Sequence, residues 1–136
     1  MSNEAVSAVE SGRSAFHVNI TAHDVQIGAD EPISAGGLGL ALTTFELLSA
    51  ALAACTTMTL RMYSNRKQWS LKSIRTDVSH TRTSGQTAQD YFARVIHLDG
   101  VLDEQQVARL LAVANHCPVH LALERGSKIG THVEMA

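Results

Sequence analysis

Two cysteines and one acid set in an apolar run are the groups in this chain best suited to covalent or redox chemistry. Cys55 and Cys117 are the only thiols. Cys55 falls in FELLSAALAACTTM, residues 45–58, where Glu46 is the single charged side chain. Free cysteine is among the most buried residue types and often behaves as a small hydrophobe, so each thiol taken singly reads as core. Cys117 follows Leu110 by seven residues, two helical turns on and on the same apolar face. Glu46 taken singly reads as a helix cap.

Taken together the groups suggest more. A two-cysteine pair in a reducing compartment is more often transient and catalytic than a structural staple. A thiol in the middle of a helix gains nothing from the helix dipole, so for Cys55 to react a cation must favour its thiolate. Arginine suits that role, because it stays protonated when buried and a carboxylate can grip it bidentately. Glu46 can hold such an arginine, whereas an anion placed directly beside a thiol disfavours the thiolate. Glu46 precedes Cys55 by nine residues, which on an α-helix is half a turn out of phase and about 13–14 Å along the axis. If both serve one site, the simplest geometry has Glu46 reach across a two-fold interface to the other chain's Cys55. Ala50, Ala51, Ala53 and Ala54 would let two such helices approach closely; an arginine bridging within one chain is the alternative. Leu48, Ala51, Met58 and Met62 share the Cys55 face. They read either as core or as an apolar wall for an alkyl substrate.

Other constellations are weaker. His116, Cys117 and His120 group three metal-ligand types around Pro118, but the proline breaks the helix that would align them and no second ligand pair completes a site; no metal is expected. His17, His23, His80 and His97 fall in alternating segments and read as surface or internally satisfied side chains. GGLGLAL has the wrong spacing for a phosphate loop.

The positioning elements follow from periodicity. Residues 1–12 read as a flexible N-terminus and 13–136 as a single domain. Phe16, Val18 and Ile20, then Val25 and Ile27, alternate as in a hairpin turning near Ala22-His23, and GADEPISAGGLG reads as a loop. Thr43 and Glu46 form a capping-box pattern opening a helix that runs to about Lys67 without Pro or Gly. Its first half is apolar on nearly every side, the mark of a helix covered all round. Two strands follow, around Leu71–Val78 and in YFARVIHL. Asp103 and Gln106 open a second helix, with Pro118 near its end, and Ile129, Thr131 and Val133 suggest a last strand. The order ββ-α-ββ-α-β predicts an α+β domain with mostly antiparallel sheets.

Composition limits the partners. With 45% hydrophobic and 18% charged residues over 136 positions, the chain has the balance of an ordinary soluble domain long enough to bury a core. A net charge of -2 gives no basic field for nucleic acid. The start MSNEAVSAVE lacks the basic residues of a signal peptide, and the apolar run near residue 50 is too interrupted to span a membrane. The expected location is cytoplasmic.

The order DEP, a GG-containing loop, FELLSAALAACTTMTLRMY and, later, HCPVH resembles the OsmC/Ohr family of organic hydroperoxide reductases over roughly residues 28–133. The resemblance implies an intertwined homodimer with sheets wrapped around long central helices, and a thiol peroxidase that reduces organic hydroperoxides to alcohols. By position Cys55 matches the attacking cysteine, Cys117 the resolving one and Glu46 the acid that orients the catalytic arginine. Gly12-Arg13 is the nearest match to that arginine. Attack would leave a sulfenic acid on Cys55 that condenses with Cys117 to a disulfide. An external dithiol of lipoyl type would reduce the disulfide, with no bound cofactor. Where the family has GPxPxEL, this chain reads GLALTTFEL, a threonine cap replacing the prolines. A non-catalytic small-molecule or lipid binder and a redox sensor are the alternative readings.

Overall fold

The computed structural model describes residues 5–136. Strands β1 (Ser7–Glu10), β2 (Val18–Ala22) and β3 (Val25–Ala29) are followed by a short 3-10 turn at Ile33–Ala35 and the long helix α1 (Thr44–Lys67). Strands β4 (Ser70–Arg82) and β5 (Asp90–Val101) and helices α2 (Glu104–Ala114) and α3 (Pro118–Arg125) complete the order. The chain divides into two compact units, one of residues up to Ser49 with His80–Asp90, the other of Ala50–Ser79 with Tyr91–Ala136.

In the first unit β1, β2 and β3 form an antiparallel sheet in that order. The expected hairpin is β2–β3, with Ala22 opposite Val25 and His23 at φ 43, in the left-handed region that tight turns require. Strand β1 lies within the segment 1–12 that reads from sequence as flexible: its edge is paired to β2 from Ser7 to Glu10. Residues 1–4 of that segment lie outside the described residues.

The loop after β3 is organised by Asp30, which is buried. Its carboxylate accepts from the Ser14 hydroxyl at 2.8 Å and from the backbone N–H groups of Glu31, Leu38 and Leu40. Burial pushes this carboxyl up, but the bonds from Ser14, Leu40, Leu38 and Glu31 together hold it below the usual carboxylate range. The wrap requires glycine at 37, where a Cβ would fall 2.0 Å from the Glu31 carbonyl oxygen.

Helix α1 begins as its capping box dictates. The Thr43 N–H donates to Glu46 Oε1 at 2.8 Å, and the Glu46 N–H donates to the Thr43 hydroxyl at 3.2 Å. It ends in a Schellman turn, with Gln68 at φ 57 and the Trp69 and Gln68 N–H groups bonded to the Ser64 and Asn65 carbonyls. The sequence suggests a helix covered all round, but within this chain the buried stripe is Leu52, Thr56, Leu60 and Ser64. Leu48, Met58 and Met62 are exposed.

In the second unit Leu60, Leu71, Leu110 and Ala114 form the buried core, backed by Tyr63, Trp69, Ile74, Ile96, Leu98, Leu102 and Val113. Burying a leucine such as Leu60 or Leu110 contributes about 1.5–3 kcal/mol. Strands β4 and β5 form a two-stranded sheet, and α2 opens with the Asp103–Gln106 capping box. Two sequence expectations are corrected here. Pro118 does not sit at the tail of α2; it occupies the first turn of a separate helix, α3, where its missing N–H costs nothing. Residues 126–136, including the expected last strand at 129–133, carry no secondary structure. Alternation suits a strand, but a strand needs an edge to pair with, and Ile129 and Val133 are exposed.

Candidate functional site

The two cysteines differ sharply in setting. Cys55 is half-buried on α1 and Cys117 is fully buried, both as free thiols. The Cys55 sulfur lies 4.0 Å from the Thr59 hydroxyl, one helical turn on. Cys117 is not part of α2, as the seven-residue spacing from Leu110 suggests; it is the N-cap of α3. Its sulfur accepts from the His120 N–H at 3.3 Å. Thr56, next to Cys55 in sequence and completely buried, brings its hydroxyl to 3.9 Å from the Cys117 sulfur. One turn of α1 thus carries both the accessible thiol and a hydroxyl in contact with the buried one.

An arginine that sequence reasoning missed closes this cluster. Arg94 of β5 donates through Nη1 to the Thr56 hydroxyl at 3.0 Å and to the Ala114 carbonyl at 3.3 Å. Through Nη2 it donates to Asn115 Oδ1 at 2.9 Å and to His120 Nδ1 at 3.1 Å. A guanidinium only donates, so His120 Nδ1 accepts and its proton sits on Nε2, 3.3 Å from Glu124 Oε2. The Thr56 hydroxyl, accepting from Arg94, donates to the Leu52 carbonyl at 2.7 Å. The signal for Arg94 was present in YFARVIHL: it shares the inward phase of Phe92, Ile96 and Leu98, so a cation occupies a position where alternation calls for an apolar residue.

The remaining sequence candidates lie apart from this cluster. Glu46 is engaged by the Thr43 N–H, and among the described residues no Lys, Arg or His forms an ion pair with it. Arg13 is exposed; its backbone N–H bonds to Ser11, and within this chain its guanidinium is not brought to Glu46. Ala51, Met58 and Met62 are exposed. None of them lines the cavity of about 500 Å³ in the second unit, which is bounded on α1 by Leu52 and Leu60. Positions 51, 58 and 62 belong to the opposite face of the helix, and Leu48, one turn before Leu52, lies at the edge between the two faces.

Most of the histidines have polar partners. His17 is buried, with Nδ1 2.6 Å from the Ser11 hydroxyl, and His97 lies 3.1 Å from Asp77. His23 is exposed at the hairpin turn. His80 stacks on Phe45 at 4.2 Å and meets Asp90 at 2.7 Å. Arg82 also lies over the Phe45 ring, 4.9 Å from its centroid. Hydrogen bonds from Arg82 and then His80 hold the Asp90 carboxyl below the usual range. Within HCPVH, His116 Nδ1 bonds the Ala112 carbonyl while His120 bonds Arg94. Among the described residues no group of three or more His, Cys, Asp or Glu is arranged to hold a metal, and no helix is long and apolar enough to cross a membrane.

This architecture has solved counterparts. The OsmC-like protein of Mycoplasma pneumoniae has a TM-score of 0.71 at 19% identity, over 90% of this chain and 88% of that one. The organic hydroperoxide resistance protein OsmC of Legionella pneumophila scores 0.65 at 26% identity, over 90% of each chain. OhrB of Bacillus subtilis, an organic hydroperoxide resistance protein, scores 0.65 at 19% identity, over 88% and 89%. No curated protein matches the sequence. The family profile described as OsmC-like protein matches residues 37–132, a span that holds α1 with Cys55, β5 with Arg94 and the Cys117 cap of α3. The chain belongs to the OsmC-like protein family.

Proposed function

We propose that this protein is a thiol peroxidase that reduces organic hydroperoxides in an oxidative-stress role, with Cys55 as attacking thiol and Cys117 as resolving thiol. The observation that carries this reading is the contrast between them. Cys55 is open to a peroxide, Cys117 is sealed, and Thr56 ties their two elements together. The Legionella relative named for organic hydroperoxide resistance supports the substrate class.

The Cys55 thiolate attacks the terminal peroxide oxygen, the O–O bond breaks, and the departing alkoxide takes up a proton to leave as alcohol. The resulting Cys55 sulfenic acid is attacked by Cys117, and its oxygen leaves as water when the disulfide forms. An external dithiol, of lipoyl type by family resemblance, restores both thiols and is itself oxidised to a disulfide. The cycle as written calls for no metal or bound cofactor.

A homodimer completes the reading. Leu48, Met58 and Met62 leave an apolar strip of α1 exposed, with Ala50, Ala51 and Ala54 alongside it. A second copy would cover the strip and turn it into a wall for an alkyl tail. It would also give Glu46 and Arg13 a partner chain to act upon. A reducing, cytoplasmic setting suits a cycle that begins from two free thiols.

Thiol titration before and after one equivalent of cumene hydroperoxide tests the chemistry. Two thiols should fall to none, faster than with hydrogen peroxide, and Cys117→Ser should leave a sulfenic acid that dimedone traps. Two thiols surviving the peroxide would defeat the reading, and a disulfide that forms without turnover on dihydrolipoamide would make the protein a sensor.

A further inference from the structure

The second unit holds an open cavity of about 500 Å³, within the range of small-molecule sites. Its wall is mainly apolar, with Leu52 and Leu60 from α1, Phe92, Ile96 and Leu98 from β5, and Leu110 from α2. Arg94, Asn115 and His120 also face it. The bonds from the Arg94 guanidinium to the other two gather these polar groups at one place.

No anion meets the Arg94 guanidinium directly. All four groups that accept from Arg94 are neutral: the Thr56 hydroxyl, the Ala114 carbonyl, the Asn115 amide and the His120 ring. Among the described residues no carboxylate lies within ion-pairing distance of it; the acid nearest along the network, Glu124, is exposed and stands beyond the His120 ring, 3.3 Å from Nε2. The Arg94 Nε–H takes part in none of these bonds. A half-buried cation drawn out of water without an anion is costly, and an anion delivered with an apolar body would relieve that cost while filling the cavity.

We propose that this cavity binds an amphipathic carboxylate, its acid group on Arg94 and its alkyl chain along the leucine and phenylalanine wall. A neutral chain of equal length would fill the same space and leave the guanidinium unpaired; an alkylammonium would meet like charge. The proposal is independent of the cysteine chemistry, because binding is measured on reduced protein without peroxide.

The test is calorimetric titration of the full-length protein with decanoate, decanol and decylammonium, joined to NMR of the arginine side chains. Decanoate should bind at least tenfold more tightly than decanol, and affinity should rise roughly fourfold per CH₂ from hexanoate to decanoate. Decanoate should move the Arg94 Nε–H resonance, and decanol should leave it in place. Arg94→Gln should erase the preference for the acid while keeping decanol affinity; Arg94→Lys should retain part of it. Equal affinity for acid and alcohol, an unmoved Arg94 resonance at saturation, or a preference that survives in Arg94→Gln would each overturn the proposal. Should Arg94→Gln fail to fold, the wild-type resonance and the chain-length series decide alone.

Discussion

The Thr56 hydroxyl stands 3.9 Å from the Cys117 sulfur while accepting a hydrogen bond from Arg94 and donating one to the Leu52 carbonyl. A single completely buried hydroxyl therefore links α1, β5 and the start of α3. Thr56→Val keeps the shape and deletes the hydroxyl, leaving an Arg94 N–H and its surroundings short of an acceptor. The expected loss is about 1–3 kcal/mol of stability by denaturant unfolding, whereas Thr56→Ser, which keeps the hydroxyl, should cost about 1 kcal/mol or less. Equal losses would mean that only packing matters at this position.

Asp30 should make stability depend on acid. Its carboxyl is held below the ordinary range in the folded chain, so its contribution is fully present above the unfolded-state value and is lost as pH falls through the folded value. Asp30→Asn replaces an acceptor with a donor against the Leu38 and Leu40 N–H groups. Denaturant unfolding should show the variant weaker at neutral pH, with the gap from wild type closing as acid protonates Asp30. A gap independent of pH would assign the defect to shape rather than charge.

Met58 tests the assembly. With 64% of its surface exposed on an apolar strip, it is the position where a charge would most directly oppose a second copy. Sedimentation velocity should show wild type as a dimer and Met58→Glu as a monomer with an unchanged circular dichroism spectrum. A monomeric wild type, or an undisturbed dimer in the variant, would remove the assembly from the proposed cycle.

Glu46 has a demonstrated job and a proposed one, and they are separable. Glu46→Gln can still accept from the Thr43 N–H, so stability should change by no more than about 0.5 kcal/mol, against about 1 kcal/mol for loss of the cap in Thr43→Ala. Peroxidase activity should nevertheless collapse if the carboxylate orients an arginine. Refolding Glu46→Gln together with Cys55→Ser in equal amounts should then restore about a quarter of wild-type activity if the site is shared between chains. No recovery in proven heterodimers would confine Glu46 to its own chain.

The elements whose signals are local were the ones legible in the sequence. Both capping boxes, the β2–β3 hairpin and the span of α1 rest on residues within a few positions of each other, and they stand where the pattern puts them. Pro118 reads as lying near the end of the second helix because a proline commonly stops a helix; that it also starts one well is decided by the turn between α2 and α3. The last strand fails for a non-local reason, since alternation specifies a face but not a partner. At the candidate site Cys55 and Cys117 were evident by type. Arg94 was hidden, because a charged residue in an alternating strand gains meaning only once the inward phase is known to face Thr56, Asn115 and His120.

The sealing of Cys117 at the start of α3 makes its modification rate a clock. A thiol reagent can reach the half-buried Cys55 from solvent, but Cys117, fully buried at the α3 cap, reacts only through a local opening, for which the first turn of α3 is the nearest candidate. Alkylation of Cys117 therefore counts native-state openings of that turn, in the same terms as hydrogen exchange. In the proposed cycle the disulfide draws on the same event, so resolution would be paced by breathing of α3 rather than by bond making. Substitutions that loosen the cap should then speed disulfide closure even as they weaken the fold.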